Sequence, residues 1–522
     1  MTEASSIEKE AESKDTGSIE AASVEASSNN ARTSFNAWHY GLLVFLSIVF
    51  VNSSKLTNPP YWDDIIGLHN QAIFIAKHNF NPIELWKDKP MIVKGNTLPL
   101  ATNSNVYPYS VIPWIHAVFY KILPPRGAHC AGHLFNMLCL SVAAALAYAV
   151  ISSHQRRLTA ALVSLLALLE PIMAGRTAAL CMECPLATVT MLSFYFLDKG
   201  KIKFAFLIAA AAVFVKPSGV ALLLVLAAFS ALQLLSHWRT FSVRQRVISS
   251  VALGIIVVIG CFMLKRHLIF EEMSLKELYY LLVYRAPAIL LYVGIMIVIA
   301  TVITVYAMMK NIPFDIHDKM TMYRLCSLLF IWGMFFAMLV MPVVPPRYMT
   351  FCIFPIFVLI GIAIDDLNRA APFVVAVAVL LLWHPMPKLP KKLLRSGEYL
   401  ERSREYLDDL EANKIICGVL TKEAYQDKPA VVKWPFGQML TMPEFGYVEK
   451  PRLNTYVADN IFPKYAPIIQ ADTYEKLPQN GVYLFTASSL SYSKPILLPE
   501  DEPKIVYKDD KLQGDAFIFV LK

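Results

Sequence analysis

Four short stretches place ionisable side chains in otherwise apolar surroundings. The first is Tyr61-Trp62-Asp63-Asp64. Two adjacent carboxylates can act as a general base with a supporting partner or help to hold a metal; the same pair also suits a solvated loop or a helix N-cap. The second is Glu183, in the run Arg176-Thr177-Ala178-Ala179-Leu180-Cys181-Met182-Glu183-Cys184-Pro185-Leu186. An acid at membrane depth is costly and so marks a functional candidate, against the plainer reading of a carboxylate snorkelling to water. The third, Lys216-Pro217-Ser218-Gly219, interrupts a nearly continuous apolar stretch from Phe204 to Leu235. A lysine there can hold a phosphate as a point charge, or simply snorkel beside a Pro-Gly turn. The fourth, Arg347-Tyr348, follows Pro342, Pro345 and Pro346 and supplies a second fixed cation beside an aromatic ring. An anionic lipid head group requires about this set of groups.

Three weaker patterns accompany these. Cys181-Met182-Glu183-Cys184 can be a redox or metal pair, or a disulfide in an oxidising compartment, but it is only half a structural zinc site. His129 and His133 share a helical face with Asn136; without a His-Glu-x-x-His arrangement they read as an interfacial helix start before a metal site. Asn52-Ser53-Ser54 is a glycosylation acceptor sequence, close to the preceding apolar block.

The elements that must position these residues are membrane helices. Of the 522 residues, 56% are hydrophobic, and the mean hydropathy of +0.47 exceeds what a soluble domain normally reaches. The apolar residues come in uncharged blocks, from Trp38–Val51 and Cys130–Ser152 as far as Trp383. The net charge of +8 does not point to nucleic acid, because the basic residues sit mainly in short connections between blocks.

Parity turns on the segment Tyr107 to Leu123, whose Pro113, Trp114, His116 and Tyr120 suit an amphipathic helix on the membrane surface. Kept on the surface, it leaves Arg156-Arg157, Lys199-Lys201-Lys203, Arg239-Arg244-Arg246, Lys310-Lys319-Arg324 and Arg369 all on the cytosolic side. The result is about 11 spans, roughly 37–53, 130–152, 158–174, 185–197, 204–217, 219–235, 247–264, 287–308, 325–343, 349–364 and 371–384. The outward face then carries 54–129, the turn from Arg176 to Cys184, Lys265 to Arg285, the Pro345-Pro346-Arg347-Tyr348 turn and the C-terminal region.

Residues 1–36, rich in Ser, Ala and Glu, form a disordered cytosolic tail. The transmembrane domain covers 37–384, including the outer loop 54–129 with its surface helices. Residues 385–522 form a small soluble α/β domain: a charged helical stretch from Lys391 to Lys414, then β-like runs at Ile415–Leu420, Gly481–Phe485, Lys504–Lys508 and Ala516–Leu521. The eight cysteines form no even disulfide framework and read mostly as small core residues.

Taken in order, these parts resemble the GT-C superfamily of membrane glycosyltransferases, in particular its protein O-mannosyltransferase and aminoarabinose transferase branch. The resemblance covers roughly Ala37 to Trp383. In that family an acidic pair follows the first span in a long outer loop, as Asp63-Asp64 does, although the usual pair is Asp-Glu. An arginine and an acid before a proline resemble Arg176 and Glu183-Cys184-Pro185. A lysine at the outer end of the next span resembles Lys216-Pro217, and a late Arg-Tyr turn resembles Arg347-Tyr348.

The resemblance implies a polytopic α-helical membrane protein with a small C-terminal lumenal α/β domain. It also implies an inverting glycosyltransferase that takes a sugar from a polyprenyl (dolichyl) phosphate and passes it to a protein or lipid-linked glycan. Asp63, Asp64 and Glu183 would be catalytic, with Asp63 or Asp64 as base. Lys216, Arg347, Tyr348 and Arg176 would bind the donor phosphate. No metal site is implied, although a divalent metal remains compatible with the carboxylates. The expected setting is the endoplasmic reticulum, N-terminus cytosolic and C-terminus lumenal. Two other classes stay open: a transporter or flippase of an anionic or lipid-linked substrate, and a GT-C-like scaffold without activity.

Overall fold

The computed structural model describes residues 37–61, 64–83, 109–236, 294–310, 318–340, 346–364, 406–422, 436–452 and short stretches between and beyond them. The expected tail 1–36, the outer segment Lys265–Arg285, the loop cations Arg239, Arg244, Arg246 and Arg369, nearly all of the span 247–264 and most of the span 371–384 lie outside the described residues.

Helices dominate. Helix α1 (Ala37–Val51) leads to a π-helical segment, Ile65–Asn70, that runs straight into α2 (Gln71–Lys77). Then follow α3 (Ile112–Ile122), α4 (Pro125–Ser152), α5 (Arg157–Leu169), α6 (Pro171–Arg176), α7 (Glu183–Asp198) and α8 (Ile202–Val215). Helices α9 (Val220–Ser236), α10 (Ile295–Lys310), α11 (Lys319–Val340) and α12 (Thr350–Ala363) follow.

Burial explains the arrangement. Every residue of α12 is buried, Pro355 included, which suits a helix apolar on all sides at the centre of a bundle. It packs against α4, α5, α7, α10 and α11. A Cβ on Gly361 would stand 2.8 Å from Ile151 of α4, so these two helices meet at a glycine.

The outer helices do the opposite: α1 exposes Trp38, Leu42, Leu43, Leu46 and Phe50, and α10 exposes Val298, Val302, Val305 and Met309. Continuous apolar faces of this kind are what lipid solvates and water does not. Helix α4 and Lys319–Ala337 of α11 are long and apolar enough to cross a membrane, and the other apolar helices are shorter. The long apolar helices and these exposed apolar faces fit the polytopic helical membrane protein expected from the sequence. Helix α3, at 11 residues, extends about 16 Å, half the thickness of a hydrocarbon core, so it does not cross; it packs on α2 instead.

Two expectations need correction. The run expected to span 158–174 is broken, because α5 ends before Glu170 and Pro171 restarts the chain as α6. Pro at a first helical position is favoured, and Glu170 caps α6 by accepting from the N–H of Met173 at 3.0 Å. The run Ile415–Leu420, read as β-like, is the end of helix α13 (Tyr406–Leu420). Tyr406, Leu410, Asn413, Ile416, Cys417 and Leu420 are buried at helical spacing, so one buried face overrides the β propensity of its two isoleucines. The stretch from Lys391 as far as 405 lies outside the described residues.

Strands β1 (Met91–Ile92) and β2 (Pro99–Leu100) pair in the outer loop. Further on come β3 (Ala430–Lys433), helix α14 (Phe436–Thr441), β4 (Thr455–Asp459), β5 (Val482–Ala487), β6 (Ile505–Tyr507) and β7 (Asp515–Val520). These five strands form one sheet in the order β4-β3-β5-β7-β6, parallel around β3 and antiparallel beyond β5. The C-terminal region rests on the outer loop: Tyr447 donates to the carbonyl of Pro60 at 2.8 Å, and Lys414 to Asn58 Oδ1 at 2.9 Å.

Candidate active site

Lys216 owes its position to the proline that follows it. A residue before proline is pushed out of the helical region, and Lys216 is extended (φ −152°, ψ 142°), which ends α8 at Val215. The chain turns through Pro217–Gly219 and restarts as α9. That turn requires glycine, because a Cβ on Gly219 would sit 2.3 Å from the carbonyl oxygen of Ala212. The break frees carbonyls at the end of α8, and the outer loop satisfies them: the Val111 N–H donates to Phe214 and the Ser110 hydroxyl to Val215, both at 2.7 Å.

Glu183 is the first residue of α7, where the positive end of the helix dipole favours a carboxylate. Its Oε1 lies 2.5 Å from Lys216 Nζ and 3.9 Å from Arg347 Nε. Arg347, in the turn Pro346–Met349, reaches Asp64 with Nη1 3.4 Å from Oδ2. Tyr348 lies beneath both cations, 4.4 Å from Lys216 Nζ and 5.6 Å from the Arg347 guanidinium carbon. Asp64, Arg347, Glu183 and Lys216 therefore form one alternating chain of charge, each residue buried. Taking single charges out of water costs several kcal/mol each, so a buried set of this kind holds together only by mutual compensation.

Arg176 closes α6 on the same side, near enough for its charge to act on Glu183. Its guanidinium lies 5.1 Å above the ring of Tyr406, whose hydroxyl donates to the Gly175 carbonyl at 3.2 Å. Tyr406 also packs against Tyr61, ring centres 5.3 Å apart. The structure thus brings together Asp64, Glu183, Lys216, Arg347 and Tyr348, with Arg176 adjoining. Asp63 lies outside the described residues, between Tyr61 and Asp64.

Sequence reasoning missed Tyr406 and Ser110. Nothing local to Tyr406 could have revealed it, since its partners are more than 200 positions away.

The turn before Glu183 is tightly held. Asn136 of α4 donates to the carbonyls of Ala179 (3.0 Å) and Cys181 (3.1 Å), and the sulfurs of Cys181 and Cys184 are 3.5 Å apart. Asn52 turns its amide inward to Ile48 O and Thr177 Oγ1, which ties the end of α1 to the same turn and buries the acceptor asparagine.

Beside the charged chain lies a second polar cluster. His129 and His133, expected at an interfacial helix start, are buried inside α4, where Nε2 of each meets a backbone carbonyl, that of Glu444 and of Asn58 respectively (both 3.1 Å). His69 shares a hydrogen bond with Tyr120 through Nδ1 (2.8 Å), and its ring meets that of His116 edge-on at 5.0 Å. Burial, reinforced by the neighbouring imidazoles, pushes His116 down to about 3 and His69 well below the usual histidine value. Both rings are neutral at physiological pH. Among the described residues no three His, Cys, Asp or Glu side chains are placed to hold a metal ion.

No family model and no curated protein sequence matches the chain. Among solved structures it is similar to ArnT from Cupriavidus metallidurans. The apo form aligns over 92% of this chain and 97% of that one with a TM-score of 0.47 at 15% identity. The form bound to undecaprenyl phosphate aligns over the same shares with a TM-score of 0.46 at 14% identity. Likeness at this level carries no weight of its own, and the functional reading stands on the residues of this chain.

Proposed function

We propose that this chain is a GT-C-type glycosyltransferase that moves a sugar from a polyprenyl phosphate to an acceptor on the outward face of the membrane. The single observation that carries the reading is the convergence of Asp64, Glu183, Lys216 and Arg347, from four distant parts of the chain, into one buried, alternately charged cluster beside Tyr348. Two cations held by carboxylates in an apolar bundle are poised to exchange part of that pairing for a phosphate.

The sugar's anomeric carbon would then bond to an acceptor hydroxyl or amine as its bond to the phosphate oxygen breaks. Phosphate is a good leaving group, so the step needs a base and stabilisation of developing charge more than covalent catalysis. Lys216 and Arg347 would take up the charge on the leaving phosphate, with Tyr348 lining their shared face. Asp63 or Asp64 would accept the acceptor's proton, and attack from the opposite side would invert the anomeric centre. Glu183 fixes the Lys216 ammonium at 2.5 Å and so positions the phosphate site. Arg176 adds positive potential at its edge.

A dolichyl donor, a protein or lipid-linked glycan acceptor and residence in the endoplasmic reticulum with the C-terminus lumenal are the finer terms of the same proposal. The test is transfer by purified protein in lipid from radiolabelled dolichyl- and undecaprenyl-phosphate sugars, for wild type, Asp63→Asn and Asp64→Asn. Donor-dependent product lost in one carboxylate variant identifies the base. A donor that binds without turnover indicates a scaffold, and vesicle transport without product indicates a transporter.

A further inference from the structure

We propose that Cys181 and Cys184 form a disulfide that staples the turn presenting Glu183, an inference that rests on the reading of this face as outward and oxidising. The two thiols stand apart from the other buried cysteines, Cys326, Cys352 and Cys417, none of which has a sulfur partner among the described residues. Their sulfurs are already 3.5 Å apart in a Cys-x-x-Cys turn at the first residues of α7. A disulfide requires about 2.05 Å, so closure moves the sulfurs by roughly 1.5 Å, within reach of a rotation about the two Cα–Cβ bonds.

The surroundings favour closure. Asn136 pins the Cys181 carbonyl from one side, so the backbone carrying the first sulfur is fixed. The Cys184 thiol's other partner is the carbonyl of Arg176, at 3.7 Å. Both residues are fully buried, with no water to compete for the sulfurs. The bond would close a small ring containing Glu183 and restrict the backbone that aims its carboxylate at Lys216.

Because the finished bundle buries both thiols, oxidation belongs to assembly, before α7 seats against α4 and α12. One thiol, deprotonated, attacks the disulfide of a dithiol–disulfide carrier and forms a mixed disulfide. The second thiol, losing its proton, displaces the carrier, which leaves as a dithiol carrying the two electrons. The pair is thereby oxidised and the carrier reduced, with no other reactant.

The experiment uses the full-length protein made in a eukaryotic host. Membranes are treated with N-ethylmaleimide under denaturing, non-reducing conditions, digested with trypsin and analysed by mass spectrometry before and after reduction. The tryptic peptide from Thr177 to Lys199 contains these two cysteines and no other. The expected result is an unalkylated peptide lighter by two hydrogens than the dithiol, which accepts two maleimides after reduction, while Cys326, Cys352 and Cys417 are alkylated throughout. Two maleimides on the peptide before reduction would overturn the proposal. The sugar-transfer assay on the same preparation separates the two ideas: a disulfide without transfer counts against the transferase alone, and transfer without a disulfide counts against the staple alone.

Discussion

The charged chain around Glu183 and the histidine cluster around His116 lie in the same part of the molecule, both deeply buried, and solve the problem of buried polarity in opposite ways. In the first, carboxylates and cations alternate, so each side chain has an opposite charge beside it. In the second, four imidazoles crowd together, and burial, reinforced by the neighbouring rings, keeps His69 and His116 neutral. Among the described residues, His116 Nε2, His129 Nδ1 and His133 Nδ1 are also buried without a hydrogen-bond partner. A compensated ion cluster can exchange one anion for another and keep its balance. A neutral cluster can respond only by gaining protons, which its burial opposes.

That contrast breaks most sharply at Lys216. Lys216→Ala should lower kcat/KM for the lipid-linked donor by about 100- to 1000-fold, the range seen when one donor to developing charge is removed. It should also lower the melting temperature, because Glu183 is left buried without its nearest counter-ion. Lys216→Ala combined with Glu183→Gln should recover the melting temperature but not the transfer rate. Equal recovery of both would mean that the cluster is structural only.

The histidines supply the next effect, in stability rather than rate. With its folded value near 3 and an unfolded value near 6.5, His116 contributes stability that is complete above about pH 6.5. As the pH falls the unfolded chain takes up the proton first, so that contribution is lost progressively between about pH 6.5 and 3, at up to about 1.4 kcal/mol per pH unit. Thermal melts of the protein in detergent should therefore slope downward below pH 6.5. His116→Phe should flatten that slope whatever it does to the melting temperature at pH 7.5. An unchanged slope would show that the imidazoles are not neutral together.

Tyr406 gives the smallest effect. Tyr406→Phe removes one hydrogen bond to the Gly175 carbonyl while keeping the ring beneath Arg176, and should cost about 1 kcal/mol in stability with transfer reduced no more than several-fold. Tyr406→Ala should cost several-fold more in donor KM, since Arg176 loses the ring that supports it. If kcat falls instead with KM unchanged, the C-terminal region acts on the reaction and not on donor binding.

Much of the charged chain was legible because ionisable residues at the ends of apolar blocks are rare, and Asp64, Glu183, Lys216 and Arg347 all stood out for that reason. Proline added precision: Pro217 and Pro346 put the two cations at breaks where a side chain can leave its helix. The histidine cluster was half legible. His129 and His133 share a face by spacing, but His69 and His116 join them only through the packing of the Ile65–Asn70 segment on α3 and of α3 on α4, which no local period encodes. The strand read into Ile415–Leu420 failed for the same reason, because the surface that buries α13 belongs to other parts of the chain. Tyr406 meets Arg176 across 230 positions, a separation at which sequence alone gives no signal.

Gly219 has no side chain and meets Lys216 only through a backbone hydrogen bond to its carbonyl (2.8 Å), yet the reach of Lys216 depends on an atom this glycine lacks. An alanine there, a substitution ordinarily counted as mild, would force α8 and α9 apart at the Ala212 carbonyl and swing the neighbouring ammonium off its carboxylate. Among the described glycines, the added methyl group that would meet the closest neighbour is therefore the one three residues away from the lysine, at a site that an inventory of polar residues would pass over.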